Sequence, residues 1–464
     1  MQKPRTRNEL IDFGYVPRSV KAEMRANLVQ MLSEGRRPFP GLVGFERTVI
    51  PQLENAILSG HDVILLGERG QGKTRLMRAL ATLLDAELPV VSGCELRDDP
   101  VQPVCARCRA RALEEGGIAG IEWLGRDLRY TEKLATPDVT IADLIGEVDP
   151  IKVAEGRYLS NEETIHFGLV PRSNRGIFAL NELPDLAEKI QVGLFNILEE
   201  RDVQVRGFTL RLPLDVFLVA TANPEDYTNR GRIVTPLKDR FGSLVRTHYP
   251  LSREQEVTVV DQERRQFGPD EGAFFPEYMK EVVVEVARQA RIHPHVYRPS
   301  GVSVRASIHN AENVLSSAVR RALELGEERA VPRLSDLLAV VPSCQGKLEL
   351  EAGAGVDEVG LIRELIGRAT REVFESIFQG HDFSCILAAV GRAGQLVVGD
   401  RMPSREYEAQ AATLNGCRDD LARLGAERPE EVASALEFVL EGLHLRGKLS
   451  KEEVQGEGRY HVPA

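Results

Sequence analysis

The stretch GERGQGKT, residues 67–74, follows the apolar run DVILLG and precedes a segment whose apolar residues have helical spacing. It fits the pattern G-x-x-x-x-G-K-[ST], in which glycines let backbone N–H groups approach phosphate oxygens. The lysine of such a loop reaches the β- and γ-phosphates, and its hydroxyl residue binds Mg²⁺. An accidental glycine-rich turn is the alternative, but a position between a strand and a helix is what phosphate binding requires. The predicted nucleotide-binding residues are Gly67, Glu68, Arg69, Gly70, Gln71, Gly72, Lys73 and Thr74.

Outward from this loop, apolar runs alternate with amphipathic stretches up to about residue 250. This alternation is typical of an α/β domain with a parallel sheet that helices cover on both faces. The runs that predict buried strands are DVILLG (62–67), LPVVSG (88–93), GIFALNE (176–182) and VFLVATANP (216–224). The stretches that predict helices are KTRLMRALATLLD (73–85) and EKIQVGLFNILEE (188–200).

The rest of the chain is predicted to be mostly helical. Before the α/β domain lies a polar extension with one amphipathic helix at 19–32, ended by RRPFPG. After it come PEYMKEVVVEVARQARIH and VRASIHNAENVLSSAVRRALEL, and then a glycine-rich bend at 351–360. The predicted regions are an N-terminal helical extension (1–40), an α/β nucleotide-binding domain (41–250), a helical lid domain (251–345) and a mostly helical C-terminal region (346–464).

Composition narrows the possible partners. The 70 acidic and 59 basic residues give a formal net charge of −11, which makes nucleic acid and anionic membranes unfavourable partners. No apolar stretch reaches the ~18 residues that a membrane span needs. The basic N-terminus lacks the apolar core of a secretory signal. These features predict a cytoplasmic protein.

Polar residues end two of the predicted strands. GIFALNE ends in Asn181 and Glu182, and VFLVATANP carries Asn223. In nucleotide hydrolases an Asp at the first of these positions holds Mg²⁺ and a Glu can activate the attacking water. Glu182 fits the second role, whereas Asn181 offers a carbonyl oxygen without charge. Asn223 is predicted to position the water near the γ-phosphate; solvated polar ends of core strands are the alternative.

Two arginines are predicted to complete the site. Arg240 follows Asp239 in a segment expected beyond the sheet edge, where an arginine from a neighbouring subunit can stabilise transition-state charge. Its alternative is a surface ion pair with Asp239. Arg305 begins a predicted helix of the lid domain and is placed to touch the γ-phosphate; alone, it would be interpreted as solvated.

These motifs together resemble the AAA+ ATPases, and among them the branch of the magnesium-chelatase ATPase subunit and the MoxR-like proteins. The resemblance covers about residues 42–325. It rests, in the family order, on GERGQGKT, LVPRSNRGIFALNELPDL, EERDVQVRG, LVATANPEDY, PLKDRFG and SVRAS. It implies that Asn223 is the sensor-1 residue, Arg240 the arginine finger and Arg305 the sensor-2 residue. It also implies ATP and Mg²⁺ as cofactors, a homo-oligomeric ring, expected to be a hexamer, and a client or von Willebrand A-type partner protein. The hairpin at 202–213 and the segment at 143–176 match elements that usually face the ring pore or the client.

Asn181 departs from the family pattern, which has Asp at this position. Three functions of the protein therefore remain open. The first is a ring-forming ATPase that remodels a partner or assists metal insertion. The second is a nucleotide-gated scaffold with little hydrolysis. The third is a nucleic-acid motor or enhancer-binding transcription activator, against which count the acidic charge, the lack of a terminal DNA-binding helix pair and the lack of a GAFTGA-like loop.

The segment GCELRDDPVQPVCARCRAR carries Cys94, Cys105 and Cys108. The last two form a C-x-x-C, which is half of a typical zinc site, and Cys94 is a possible third ligand. No histidine lies nearby in sequence as a fourth. A redox pair and three free thiols are the alternatives.

Overall fold

The structure is a computed structural model. It describes residues 3–114, 118–148, 164–199, 203–205, 208–210, 212–224, 232–266, 272–297, 301–350, 357–414, 418–454 and 456–463. The chain divides into two compact units, Met1–His248 and Tyr249–Ala464. The finer division into four regions stays a prediction.

The first unit is built on a five-stranded sheet. The strands of the whole unit are β1 (Val63–Leu66), β2 (Glu87–Val91), β3 (Ile121–Gly125), β4 (Tyr130–Leu134), β5 (Gly146–Val148), β6 (Ile165–Phe167), β7 (Gly176–Asn181), β8 (Val203–Val205), β9 (Phe208–Leu210), β10 (Val216–Ala222) and β11 (Ser243–Arg246). The main sheet has the order β11-β1-β10-β7-β4, and all its neighbours are parallel. The carboxyl ends of its strands therefore lie at one edge, where parallel α/β sheets place their ligands.

Helices cover both faces of this sheet, as predicted. Residues at alternate positions of each strand enter two separate cores, so that Val63 and Ile177 pack on one face, and Ile64 and Phe178 on the other. The helices of this unit are Arg7–Asp12, Val20–Ser33, Val49–Leu58, Lys73–Ala79, Ala106–Leu113, Ile141–Leu144, Leu169–Arg172, Glu188–Glu199 and Thr235–Arg240, with 3₁₀ turns at Leu80–Leu83, Arg126–Arg129 and Leu183–Asp185.

One predicted core strand has a different place. The run at 88–93 does form β2, but β2 pairs antiparallel with β3 in a separate two-stranded sheet. In the main sheet, the strand next to β7 at the sheet edge is β4, with the sequence YTEKL. Apolar runs do not reveal such a strand, because an edge strand whose side chains are only partly buried can be polar.

The helix Val20–Ser33 confirms the helix predicted at 19–32, and the Ser19 side chain caps it by accepting from the Ala22 N–H at 3.2 Å. Its Glu23 is buried and forms a two-bond ion pair with the guanidinium of Arg129, at 2.6 and 2.7 Å. Arg129 directly precedes β4 and also donates to the carbonyl of Arg175, which precedes β7. This buried pair therefore attaches the N-terminal helix to the start of two sheet strands.

The second unit is mostly helical, as predicted. Its helices are Arg253–Glu263, Glu277–Ile292, Val304–Leu325, Val341–Cys344, Glu358–Ile377, Ser384–Ala393, Ser404–Thr413, Arg418–Ala422 and Pro429–Leu445, with a 3₁₀ helix at Leu334–Val340. A three-stranded antiparallel sheet accompanies them: β12 (Leu396–Gly399), β13 (Ser450–Val454) and β14 (Glu457–His461), in the order β12-β14-β13. Sequence patterns did not predict these three short strands, of which β13 and β14 are rich in charged residues. No helix in the described residues is long and apolar enough to cross a membrane.

Candidate nucleotide-binding site

The loop at residues 67–74 connects the end of β1 to the helix Lys73–Ala79. Its first residue donates to the carbonyl of Ala222, the last residue of β10, at 3.1 Å. Inside the loop the buried side-chain oxygen of Gln71 accepts from the Glu68 N–H at 3.0 Å and from the Thr247 hydroxyl at 2.8 Å. The loop is thereby fixed at both of its neighbouring strands, at the carboxyl edge of the sheet.

Two glycines of the loop have backbone conformations that favour glycine. Gly70 has a φ of 75° and Gly72 a φ of 71°, in the left-handed region. Lys73 begins the helix and is buried, and its ammonium donates to the carbonyl of Gly67 and, at 2.9 Å, to that of Glu68. These two hydrogen bonds offset the cost of burying the positive charge of Lys73 inside the loop.

Asn181 lies at the end of β7, next to two hydroxyl groups. Its Oδ1 accepts from Thr74 at 3.5 Å and from Thr221 at 3.3 Å. Thr221 belongs to the adjacent strand β10 and also accepts the Glu182 N–H at 2.9 Å. The predicted metal-site residues Thr74 and Asn181 are therefore brought together, although they are more than a hundred residues apart.

A carboxylate on the other neighbouring strand faces Asn181. Glu132 of β4 accepts from Asn181 Nδ2 at 2.6 Å. Because an ionised carboxylate only accepts hydrogen bonds, this contact assigns the amide orientation and directs Oδ1 toward Thr74. Burial acts to raise the pKa of Glu132, but hydrogen bonding and charge attraction from Arg78, at 2.8 Å, outweigh it and lower that pKa. Glu132 thus holds a negative charge beside the neutral Asn181.

Glu182 and Asn223 follow β7 and β10 at the same edge. Glu182 has a φ of 56° and a ψ of 50°, a left-handed conformation that is uncommon for a non-glycine residue and occurs at functional sites. Asn223 is buried directly after β10. Glu182 therefore adjoins Asn181 in the chain, and Asn223 follows the neighbouring strand β10.

The two predicted arginines belong to helices, one in each unit. Arg240 ends the helix Thr235–Arg240 and lies 3.6 Å from the exposed Asp239, which is the surface pair considered as its alternative. Arg305 belongs to the second unit, where it is exposed in the first turn of the helix Val304–Leu325, with its N–H on Ser303 Oγ at 3.1 Å. Their roles at a nucleotide stay predictions.

Sequence reasoning missed two residues of this site, Thr221 and Glu132, and it did not foresee that the Gln71 side chain braces the loop. Glu132 lies in a polar strand, and nothing in its local pattern distinguishes it from a solvated charge. Of the two segments matched to pore-facing elements, residues 149–163 lie outside the described residues, and β8 and β9 form an antiparallel pair within 202–213.

The predicted cysteines lie together in the connection between β2 and β3. Sulfur atoms of Cys94, Cys105 and Cys108 and a carboxylate oxygen of Asp98 lie within 4.8 Å of one another. All three cysteines are free thiols, and Cys417 lies outside the described residues.

Comparison with known proteins gives consistent matches. The family model of the Sigma-54 interaction domain matches residues 153–240, which contain β7, β10 and Arg240. The magnesium-chelatase subunit ChlI of Nostoc sp. is 25% identical over 383 residues, which are 78% of this chain and 96% of the relative. The magnesium-chelatase 38 kDa subunit of Acidiphilium rubrum is 27% identical over 244 residues, 51% of this chain and 66% of the relative. A chain from the complex between subunits BchI and BchD of magnesium chelatase is 21% identical, with 71% of this chain and 98% of that chain covered and a TM-score of 0.36.

Proposed function

The chain belongs to the AAA+ family, in the branch that holds the magnesium-chelatase ATPase subunit and the MoxR-like proteins, and from this membership we propose that it is a Mg²⁺-dependent ATPase. The observation that carries the proposal is the meeting of the phosphate loop with the ends of β7 and β10. Thr74, Asn181 and Thr221 form one hydrogen-bonded group there, beside the buried Lys73.

The donor set around Asn181 fits Mg²⁺. A hydroxyl, an amide oxygen and a nearby carboxylate are the hard oxygen ligands that this ion prefers. Thr74 and Asn181 would hold the ion, directly or through its water molecules, and Glu132 would supply the negative charge that Asn181 lacks. When bound, Mg²⁺ neutralises charge on the transferred phosphate.

The remaining residues have separate tasks in this proposal. Lys73 exchanges its carbonyl partners in the loop for phosphate oxygens, so its charge is compensated before and after nucleotide binding. Glu182 orients the attacking water and accepts its proton, while Asn223 holds that water from the neighbouring strand. Because a general base remains, the neutral Asn181 affects metal affinity more than it affects the proton transfer.

We further propose that the chain acts as a homo-oligomeric ring, with a hexamer as the expected size, and remodels a client or von Willebrand A-type partner protein. Arg240 would enter the site of a neighbouring subunit and Arg305 would contact the γ-phosphate from the lid. The curated relatives support this step by likeness, because they are named as subunits of a larger enzyme, magnesium chelatase.

Two substitutions test the ATPase directly. Lys73→Ala should abolish ATP binding, because it removes the loop's cation, whereas Glu182→Gln should bind ATP and lose turnover. Lys448→Ala, at an exposed lysine of the second unit, is the matched control and should behave like the wild type. Binding is measured by titration with a fluorescent ATP analogue, and turnover by phosphate release.

The results also separate the alternatives. An unchanged nucleotide affinity in Lys73→Ala would refute the phosphate-loop assignment. Wild-type protein that binds ATP but shows no turnover at high Mg²⁺, with its partner present, would favour the nucleotide-gated scaffold, which Asn181 motivates.

A transcription-related motor is the second candidate, because a Sigma-54 interaction domain model matches residues 153–240. The net charge of −11 opposes DNA binding. Salt-dependent binding of duplex DNA, measured by fluorescence anisotropy, would support this candidate, and its absence at low salt would exclude it.

A further inference from the structure

The cysteine cluster between β2 and β3 has the dimensions of a metal site. Cys94 Sγ lies 4.0 Å from Cys105 Sγ, and the four potential ligand atoms, including one of Asp98, lie within 4.8 Å of one another. A tetrahedral ion with metal–sulfur bonds of about 2.3 Å separates its sulfur ligands by about 3.8 Å. The sulfur atoms are thus spaced for a common ion rather than for a disulfide, whose sulfur atoms are about 2.05 Å apart.

Asp98 gives an independent indication of a cation-binding site. Its carboxylate is fully buried, and Oδ2 accepts the N–H groups of Val104 at 3.1 Å and Cys105 at 2.9 Å. Its other oxygen, Oδ1, has no hydrogen-bond partner in the part of the chain that the structure describes. A buried polar atom without a partner is costly, and native proteins satisfy nearly all of them. A cation among the three sulfur atoms would satisfy Oδ1.

The backbone places a hydrogen-bond donor on one sulfur atom. The Cys108 N–H donates to Cys105 Sγ at 3.2 Å, in the first turn of the helix Ala106–Leu113. Cys105 and Cys108 are both buried, and Cys94 is partly buried. The same N–H group would donate to the sulfur atom of a metal-bound Cys105.

We propose that Cys94, Asp98, Cys105 and Cys108 bind one structural Zn²⁺ ion. Three thiolates and one carboxylate suit zinc, whereas Mg²⁺ and Ca²⁺ require oxygen ligands throughout. Four protein ligands leave no open position, so the site is structural rather than catalytic. The ligand that the sequence pattern lacked is an aspartate four residues after Cys94, a spacing that zinc patterns based on cysteine and histidine do not include.

The ion would fix a loop on which other contacts depend. Asp99, next to the proposed ligand Asp98, accepts from the hydroxyl of Tyr15 at 2.6 Å and pairs with Arg175 at 2.8 Å. Tyr15 belongs to the N-terminal segment, and Arg175 directly precedes β7. Zinc binding would therefore stabilise the docking of the N-terminal segment and the entry into the strand that ends at Asn181.

The test is metal content and ligand geometry in the full chain, purified without chelator. We expect about one zinc ion per chain, and after exchange a Co²⁺ form with the thiolate charge-transfer and tetrahedral d–d bands of a sulfur-rich site. Cys105→Ser should lose zinc, whereas Cys385→Ser, at an exposed cysteine of the second unit, should keep it. Asp98→Asn should weaken zinc affinity by more than the roughly 10- to 100-fold loss typical of residues that only orient a ligand.

Measurements on the wild-type chain cover the case in which a variant fails to fold. Chelation should lower its melting temperature and expose the β2–β3 connection to protease, and added Zn²⁺ should restore both. Zinc-free protein without Co²⁺ charge-transfer bands would overturn the proposal. So would a disulfide between two of these cysteines in mass spectra of protein purified without reductant, or full zinc retention by folded Cys105→Ser.

Discussion

Asn181 is neutral where the family pattern has Asp, yet the carboxylate of Glu132 lies 2.6 Å from its amide nitrogen. Glu132 and Asn181 belong to adjacent parallel strands, so the negative charge is displaced by one strand rather than lost. The carboxylate also fixes the amide so that its oxygen faces Thr74. The site therefore contains a carboxylate that Asn181 alone does not suggest, and Arg78 pairs with it at 2.8 Å.

This arrangement predicts that the carboxylate can be moved from residue 132 to residue 181 while the Mg²⁺ dependence of the ATPase is largely kept. Glu132→Gln should raise the Mg²⁺ concentration for half-maximal ATPase activity by roughly ten- to thirty-fold, or about 1.4–2 kcal/mol, because the site loses its carboxylate and keeps the Arg78 cation that paired with it. The double variant Glu132→Gln/Asn181→Asp should return toward the wild-type value. Asn181→Asp alone should gain little near neutral pH, since two carboxylates in contact do not both ionise easily. The measurement is ATPase rate against free Mg²⁺.

The matched control for this exchange is Glu406→Gln, at an exposed glutamate of the second unit, which should leave the Mg²⁺ dependence unchanged. Equal effects of Glu132→Gln in the wild-type and Asn181→Asp backgrounds would contradict the exchange, because independent sites add.

At the scale of elements, the sequence predicted features that are contiguous in the chain. It did not predict features that form only when distant segments pair. The phosphate loop is contiguous, and its glycines, lysine and threonine identify it without knowledge of the sheet. β4 is different, because its polar sequence hides it and its place beside β7 depends on pairing with residues more than forty positions away. Glu132 and Asp98 were missed for this reason: their functional neighbours are close in space but carry no shared sequence pattern.

The loop itself gives a prediction at this scale. A Cβ atom added at Gly67 would overlap Thr247 Oγ1 and Gln71 Oε1, the two atoms that brace the loop. Gly67→Ala should therefore displace the loop and weaken ATP binding at least ten-fold, with a loss of about 1–3 kcal/mol in unfolding free energy. Nucleotide titration and chemical denaturation measure the two effects.

Gly125→Ala is the control for this substitution. Gly125 lies in the same unit with a φ of −65°, and nothing lies within 4 Å of an added Cβ atom. Its variant should match the wild type in both measurements. Wild-type ATP affinity in Gly67→Ala would show that the loop tolerates the displacement.

At the scale of the whole molecule, each unit has its own core, and the proposed site residues are divided between them. The phosphate loop, Asn181 and Glu182 belong to the first unit, and Arg305 to the second. Arg240 is in the first unit but is proposed to act on a neighbouring copy. In this proposal a chain on its own lacks one catalytic group at its own nucleotide, and turnover should depend on assembly.

This dependence can be tested by mixing defective subunits. Arg240→Ala should keep ATP binding and lose turnover by ~10³-fold or more, because an arginine finger stabilises transition-state charge and not the bound ground state. Glu182→Gln should be inactive through its own site. In a mixed ring, an Arg240→Ala subunit has an intact Glu182 and can receive Arg240 from a Glu182→Gln neighbour, so some interfaces are complete. The mixture should therefore regain activity that neither variant has alone, whereas Lys73→Ala/Arg240→Ala mixed with Glu182→Gln should not, because its subunits cannot bind ATP. Wild-type turnover in Arg240→Ala would instead identify this residue as the surface partner of Asp239.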